Sequence, residues 1–246
     1  MNDPSRESLS AALARSQRIA VMTGAGVSAE SGVPTFRGAG GLWNGHRAAD
    51  LATPEGFSLD PVLVWEFYDQ RRTHLATCAP NPAHRALAAL ERRCADFTLI
   101  TQNVDGLHQL AGSDNVLELH GNIWQLRCVQ GCGGAEDRRA PLPRPLPPRC
   151  ACGAAMRPGV VWFGESLPID RFQSAAAAAT RAELFLVIGT SSLIEPAASL
   201  TRLAHASGAR VIEVNPDETP VSTLAHDVVR KTAAGALSRL VGQEVV

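Results

Sequence analysis

The chain has 246 residues, 45% hydrophobic and 19% charged, with 23 Lys+Arg against 24 Asp+Glu and a formal net charge of -1. That length fits one substantial domain, or one domain carrying a smaller lobe, and the composition excludes both intrinsic disorder and a strongly basic nucleic-acid binder. No apolar run approaches the roughly 18 residues of a membrane span, and residues 1–10 lack the basic-then-apolar order of a secretion signal, so a cytoplasmic protein is expected.

Residues 5–17 read as a helix, and Ile19 to Thr23 as a buried strand running straight into Gly24-Ala25-Gly26. From 34 to about 60 the Gly, Pro and polar content predicts a long ordered loop with short helices. Helices follow over 61–76 and 82–93, then a strand over 97–101. Further on come a helix around 174–180, a strand over 184–189, a helix over 196–207, a strand over 211–215 and a helix over 233–241. Proline at or near several helix starts costs nothing there, since its missing N–H has no partner to lose. Short apolar strands alternating with helices predict an open α/β layer built on a parallel sheet.

A second interruption, about 127–156, carries the proline-rich run 141–148 and is too polar to build its own core. It holds Cys128, Cys132, Cys150 and Cys152, whereas Cys78 and Cys94 stand alone. Four clustered cysteines fit a thiolate zinc site in number, although three intervening residues in one pair and one in the other depart from the usual two. A site closed by four protein ligands is structural, and its metal does not touch substrate.

The stretch Gly24 to Gly32 follows a strand, where glycines let a backbone approach a phosphate, but it matches neither the dinucleotide fingerprint nor a triphosphate loop. A plain tight turn is the alternative. Gly189, Thr190, Ser191 and Asn215 close two later strands, at the sheet edge where α/β proteins bind ligands. Each could be only a capping residue, but three such edges together favour a nucleotide. Gln102, Asn103 and Asp105 form a dense polar cluster past another strand, and His120 stands beside Gly121. A histidine there can serve as a general base or as a core or capping residue. For His74, His84 and His205, in helix-like stretches, the core or capping reading is the stronger.

In their order along the chain, the segments 24–28, 34–37, 101–108, 120–121, 189–191 and 214–215 resemble the sirtuins, NAD-dependent protein-lysine deacylases. The likeness runs from about residue 15 to about 240. It implies a large Rossmann-like lobe (about 5–34, 80–126 and 158–246) with an inserted small zinc-binding lobe (about 35–79 and 127–157). NAD would be a co-substrate, and one structural zinc ion would sit on the four clustered cysteines. By the resemblance, Gly24, Ala25, Gly26, Ser28, Thr35, Phe36 and Arg37 form the first NAD segment. Gln102, Asn103 and Asp105 lie near the nicotinamide ribose, Asn103 and Asp105 with catalytic roles. Gly189, Thr190, Ser191 and Asn215 serve the rest of the cofactor, Ala233 sits near adenine, and His120 is the catalytic base. The implied reaction consumes NAD and yields nicotinamide and O-acyl-ADP-ribose.

Val160, Val161, Trp162, Phe163 and Gly164 resemble the family segment that pairs with substrate backbone, a role compatible with a strand joining the lobes. Tyr68, the only tyrosine, precedes Arg71 by three residues, which puts both on one helical face. Such a pair can read a carboxylate, or lie solvated on the surface. With Ala52 as a small pocket residue it resembles the sirtuins that prefer succinyl or malonyl groups, with weaker deacetylation. The expected partners are acyl-lysine proteins or peptides, with no nucleic acid and no membrane, and the expected state is a monomer. The competing readings are a plain deacetylase, an ADP-ribosyltransferase and a non-catalytic NAD-binding regulator.

Overall fold

The computed structural model describes residues 4–34, 42–133, 136, 137, 142 and 144–238. The chain opens with helix α1 (Pro4–Arg15) and strand β1 (Arg18–Thr23), followed by two short 3-10 turns, Ala25–Val27 and Ala29–Ser31. A hairpin of β2 (Leu42–Trp43) and β3 (His46–Arg47) leads into α2 (Ala48–Leu51), α3 (Pro54–Leu59) and α4 (Pro61–Leu75). Next come α5 (Pro82–Arg93), β4 (Asp96–Thr101), α6 (Leu107–Leu110), β5 (Val116–Glu118) and β6 (Gly121–Cys128). The excursion holding the cysteines contains β7 (Glu136–Asp137) and returns through β8 (Met156–Val160). The chain finishes with α7 (Ile169–Arg181), β9 (Leu184–Ile188), α8 (Ser199–Ala206), β10 (Arg210–Val214), β11 (Asp227–Val229) and α9 (Ala233–Leu237).

Six strands form one parallel sheet in the order β11-β10-β9-β1-β4-β5. Side chains alternate between faces along each strand, so Ile19 and Val21 of β1 enter one apolar cluster while Ala20 and Met22 enter the other. The first cluster is closed by Leu9 and Ala12 of α1, Leu87 of α5 and Leu237 of α9. The second is closed by Ala175 and Ala179 of α7 and Leu200 of α8. Helices on both faces of a parallel sheet are the doubly wound arrangement, which places ligand-binding loops at the strand C-terminal edge.

A third cluster lies off the sheet, where Val64, Trp65, Phe67 and Tyr68 of α4 pack with Ile123 and Leu126 of β6 and with Leu142 and Met156. The cysteine-bearing segment thus shares a core with α4, and the Trp65 indole N–H donates to the Met156 carbonyl at 2.7 Å. Antiparallel β6 and β8, with β7 on the other side of β6, form the small sheet of this region. Its helices start where side chains accept otherwise orphaned N–H groups: Thr53 from Gly56 at 2.9 Å and Asp60 from Leu63 at 2.9 Å, each followed by proline. Caps of this kind contribute about 1 kcal/mol apiece.

Most expected elements occur within a few residues of their expected bounds. The helix expected around 174–180 extends over Ile169–Arg181, and the one expected from 196 begins at Ser199. The strand expected to reach 189 stops at Ile188, where Gly189 turns with φ 59°. Only Ala233–Leu237 of the helix expected over 233–241 is assigned, and 239–241 lie outside the described residues. Among the described residues, no helix is long and apolar enough to cross a membrane.

Candidate active site

Strands β1 and β9 are hydrogen-bonded neighbours, and the loops leaving their C-terminal ends meet backbone to backbone. The Gly26 N–H donates to the Gly189 carbonyl at 2.7 Å. A Cβ on Gly26 would lie 2.7 Å from that oxygen, and one on Gly189 would lie 2.5 Å from the Val27 nitrogen. Only glycine fits at either position, and Gly189 also needs the left-handed region that glycine tolerates. The turn therefore has a structural reason for its glycines, and the same bare backbone is what a phosphate group can approach.

Two hydrogen-bonded groups surround that contact. In the first, the Gln102 side chain donates to the Thr190 hydroxyl at 2.9 Å, and the Asn215 amide donates to the Thr190 carbonyl at 2.8 Å. Three strand ends, β4, β9 and β10, are thereby joined around Thr190. In the second, buried Ser28 donates to Asp105 at 2.8 Å and accepts from the Asn103 amide at 3.0 Å, with His84 Nε2 at 3.3 Å. Asp105 also accepts from the Leu107 N–H, and its carbonyl accepts from the Trp124 indole. Burial raises the Asp105 pKa, with the bonds from Leu107 and Ser28 opposing.

His120 ends the link between β5 and β6, and its Nδ1 lies 2.9 Å from the Gln102 carbonyl. A carbonyl only accepts, so Nδ1 carries the proton and Nε2 of the neutral ring is left as the basic atom. Burial lowers the His120 pKa, and the bond to Gln102 partly offsets this.

The proposed acyl site gathers residues from three segments. The Phe163 N–H donates to the Ala52 carbonyl at 2.9 Å, and the Val161 N–H donates to the His120 carbonyl at 2.8 Å. The Trp162 indole N–H donates to the Tyr68 hydroxyl at 3.0 Å. Tyr68 is buried rather than solvated, and burial pushes its pKa up to about 12, against the Trp162 bond and the charge of Arg71. One helical turn on, the Arg71 guanidinium lies 5.4 Å from the Phe67 ring centroid, and burial lowers its pKa. Val160 is buried at the end of β8, and Gly164 turns with φ 86°.

Cys128, Cys132, Cys150 and Cys152 converge despite their spacing, with all four sulfurs within 4.8 Å of one another. The Cys132 sulfur lies 3.3 Å from that of Cys128 and 3.4 Å from that of Cys150. Zinc–sulfur bonds of about 2.3 Å in a tetrahedron need sulfurs about 3.8 Å apart, so the set fits one zinc ion with small adjustments. Hydrogen-bonded turns explain the short pair: the Gly153 N–H reaches the Cys150 carbonyl at 2.9 Å and curls the chain so that both thiols face one centre. The Gln130 N–H, 3.4 Å from the Cys128 sulfur, is a donor suited to a thiolate.

Of the remaining expected site residues, Ala25 lies in the first 3-10 turn, Ser191 follows Thr190, and Ala233 opens α9 with its side chain in the first cluster. Thr35, Phe36 and Arg37 lie outside the described residues. His84, which sequence reasoning left as a core or capping residue, borders the site together with His108 of the 101–108 segment. His84 completes a capping box with Asn81 and reaches Ser28, and its ring lies 4.8 Å from that of buried His108. Core and capping is thus the right reading for His84, and its position three residues after Asn81 is the signal for it.

Known proteins share this fold. A sequence profile of the Sir2 family matches residues 24–196. An NAD-dependent protein deacylase of Aquifex aeolicus is 51% identical over 224 residues, covering 90% of this chain and 93% of its own. A solved Sir2 homolog–NAD complex superposes with a TM-score of 0.90 at 45% identity, covering 96% of this chain and 92% of that one. A Sir2–p53 peptide–NAD+ complex does so with a TM-score of 0.83 at 31% identity, covering 96% and 97%. The sheet order, the glycine contact, the oriented histidine and the thiol cluster thus occur in a chain that belongs to the Sir2 family, the sirtuin enzymes whose relatives are NAD-dependent protein deacylases.

Proposed function

We propose that this protein removes acyl groups from lysine side chains of proteins in an NAD-dependent reaction, favouring succinyl and malonyl over acetyl. NAD, as co-substrate, supplies the ribose carbon that accepts the acyl oxygen as nicotinamide leaves. The backbone around Gly24, Ala25, Gly26, Gly189 and Thr190 holds the phosphates, Ser191 and Asn215 the adenosine ribose, and Asn103 and Asp105 the nicotinamide ribose. His120 takes a proton from a ribose hydroxyl on Nε2, while its Nδ1–H stays on the Gln102 carbonyl. The N–H groups of Val161, Trp162 and Phe163 and the carbonyls of Val160 and Trp162 bond within the protein, so substrate pairs with other main-chain groups of the 160–164 segment.

The acidic-acyl preference is carried by one observation: the Tyr68 hydroxyl is buried beside Trp162, within reach of the charge of Arg71. A partly desolvated guanidinium binds a carboxylate more strongly than a solvated one does, and it can do so through two parallel bonds. Ala52, joined to Phe163 through its carbonyl, leaves room for the longer chain.

Matched acetyl-, malonyl- and succinyl-lysine peptides, incubated with NAD and followed by mass spectrometry, test this reading. The succinyl-to-acetyl ratio of kcat/KM exceeds one in the wild type and falls by about 10²-fold in Arg71→Met. His120→Ala loses turnover of all three peptides. A dominant acetyl activity that Arg71→Met leaves in the same proportion would make this a plain deacetylase.

A further inference from the structure

We infer that Trp162 is a positioning residue for acyl selectivity: its indole N–H sets the direction of the Tyr68 hydroxyl, so that Tyr68 donates toward the tip of an acidic acyl chain. The inference rests on the acidic-acyl reading above and adds to it a side chain so far given only a main-chain role. An indole N–H is a donor and nothing else, and it lies 3.0 Å from the Tyr68 oxygen. Tyr68 therefore accepts on that side. A phenolic O–H prefers the plane of its ring and has two orientations there, and the indole hydrogen occupies one of them. The Tyr68 proton is turned to the other, ready to meet an acceptor. Without the indole the hydroxyl is free to present its lone pair, which repels a carboxylate.

The indole is itself held. The Arg157 guanidinium lies 3.4 Å from the Trp162 ring centroid. Arg157 is fixed in turn by two bonds to Glu165, at 2.5 and 2.9 Å, and by one to the Val160 carbonyl at 2.9 Å. Glu165 also accepts from the Trp162 N–H at 2.8 Å, and its own N–H donates to the Trp162 carbonyl at 3.0 Å. The carboxylate of Glu165 thus grips the backbone of Trp162 directly and its ring through Arg157. The same pairing neutralises Arg157, so the acidic-acyl reading draws its charge from Arg71, whose field also reaches Tyr68.

Trp162→Phe keeps an aromatic face for Arg157 and removes the donor together with the second ring of a buried indole. With succinyl- and acetyl-lysine peptides, this variant should lower the succinyl-to-acetyl ratio of kcat/KM by about fivefold to tenfold. Tyr68→Phe should lower it at least as much, and Tyr68→Phe/Trp162→Phe no further than Tyr68→Phe alone, because the indole acts through the hydroxyl. A merely structural role would slow both peptides alike and make the two changes additive, and either result overturns the inference. Glu165→Gln, which loosens the clamp without altering the indole, should shift the ratio the same way and serves if Trp162→Phe folds poorly. Should Arg71→Met collapse the ratio while Trp162→Phe and Glu165→Gln leave it intact, this inference fails and the acidic-acyl reading stands. A ratio that none of the variants moves sinks both.

Discussion

His120 and Gln102 are joined by a 2.9 Å contact between Nδ1 and a carbonyl oxygen, and this contact selects the ring nitrogen that can act as a base. Because the burial of His120 lowers its pKa, the neutral, competent form predominates at the ordinary histidine value. The acid limb of the kcat/KM profile should be centred below about pH 6.5. His120→Ala should cost about 10²- to 10⁴-fold and remove that limb. An acid limb centred above pH 7, or one that survives in His120→Ala, would assign the base elsewhere.

The thiol cluster predicts one zinc ion per chain by elemental analysis. Since the cysteine segment shares its core with α4, stripping the metal should abolish the near-UV signal of Trp65 and Trp124 while the six-stranded sheet keeps most of its far-UV signal. Cys132→Ser should lower zinc content below half. A near-UV spectrum unchanged after complete chelation would show that the lobe holds its shape through α4 alone.

Gly189→Ala places a Cβ 2.5 Å from a backbone nitrogen in a left-handed conformation, so neither relaxation nor rotation relieves it. Urea unfolding should register a loss of at least about 2 kcal/mol. The KM for NAD should rise more than that for peptide, because the displaced loop belongs to the proposed cofactor side. A stable variant with an unaltered KM for NAD would mean that the two loops are not held by this contact.

Stability should decline at mildly acidic pH, because burial lowers the pKa of both His84 and His108. An unfolded histidine takes up its proton near pH 6.5, whereas burial pushes His84 down to about 4, with Arg85 adding to the effect. Between those values the unfolded chain binds more protons, so this contribution is complete above about pH 6.5 and is lost as the pH falls toward 4. Its size is about 3 kcal/mol. Burial displaces His108 the same way, while the raised Asp105 carboxyl acts in the opposite sense at the low end. The urea midpoint should therefore climb between pH 4.5 and 6.5, less steeply in His84→Gln. An identical slope in that variant would remove His84 from the explanation.

The α/β layer was legible because its central strands are short apolar runs, each buried on both faces and each ended by polar or glycine residues, as in 19–23 and 184–188. Strand β11 was not, since three residues carry no periodicity. Nor was the β6–β8 ladder, where Gln125 and Arg127 interrupt the apolar positions and Pro158 sits inside a strand. At the site, residue types in loops at strand ends pointed to the polar clusters. The bonds among Ser28, Asn103 and Asp105 depend on approaches between segments far apart in the chain, which one-dimensional spacing does not encode. The cysteine spacing looked unfavourable because spacing counts residues, while chelation depends on how tightly the intervening turn curls.

The hydrogen bond from Val161 to the His120 carbonyl has a mechanical consequence. His120 immediately precedes β6 and Val161 immediately follows β8, so the proposed base and the proposed peptide platform sit at the open end of a single two-stranded ribbon. The far end of that ribbon carries the cysteines. The β6–β8 pairing is irregular between Gly121 and Leu126, so a swing of the cysteine lobe has a place to bend, while the Val161–His120 bond keeps these two proposed functional parts together at the tip. The separation between the proposed proton acceptor and the proposed lysine platform is held by that bond, and what such a bend changes is their common approach to the proposed cofactor loops of the large sheet.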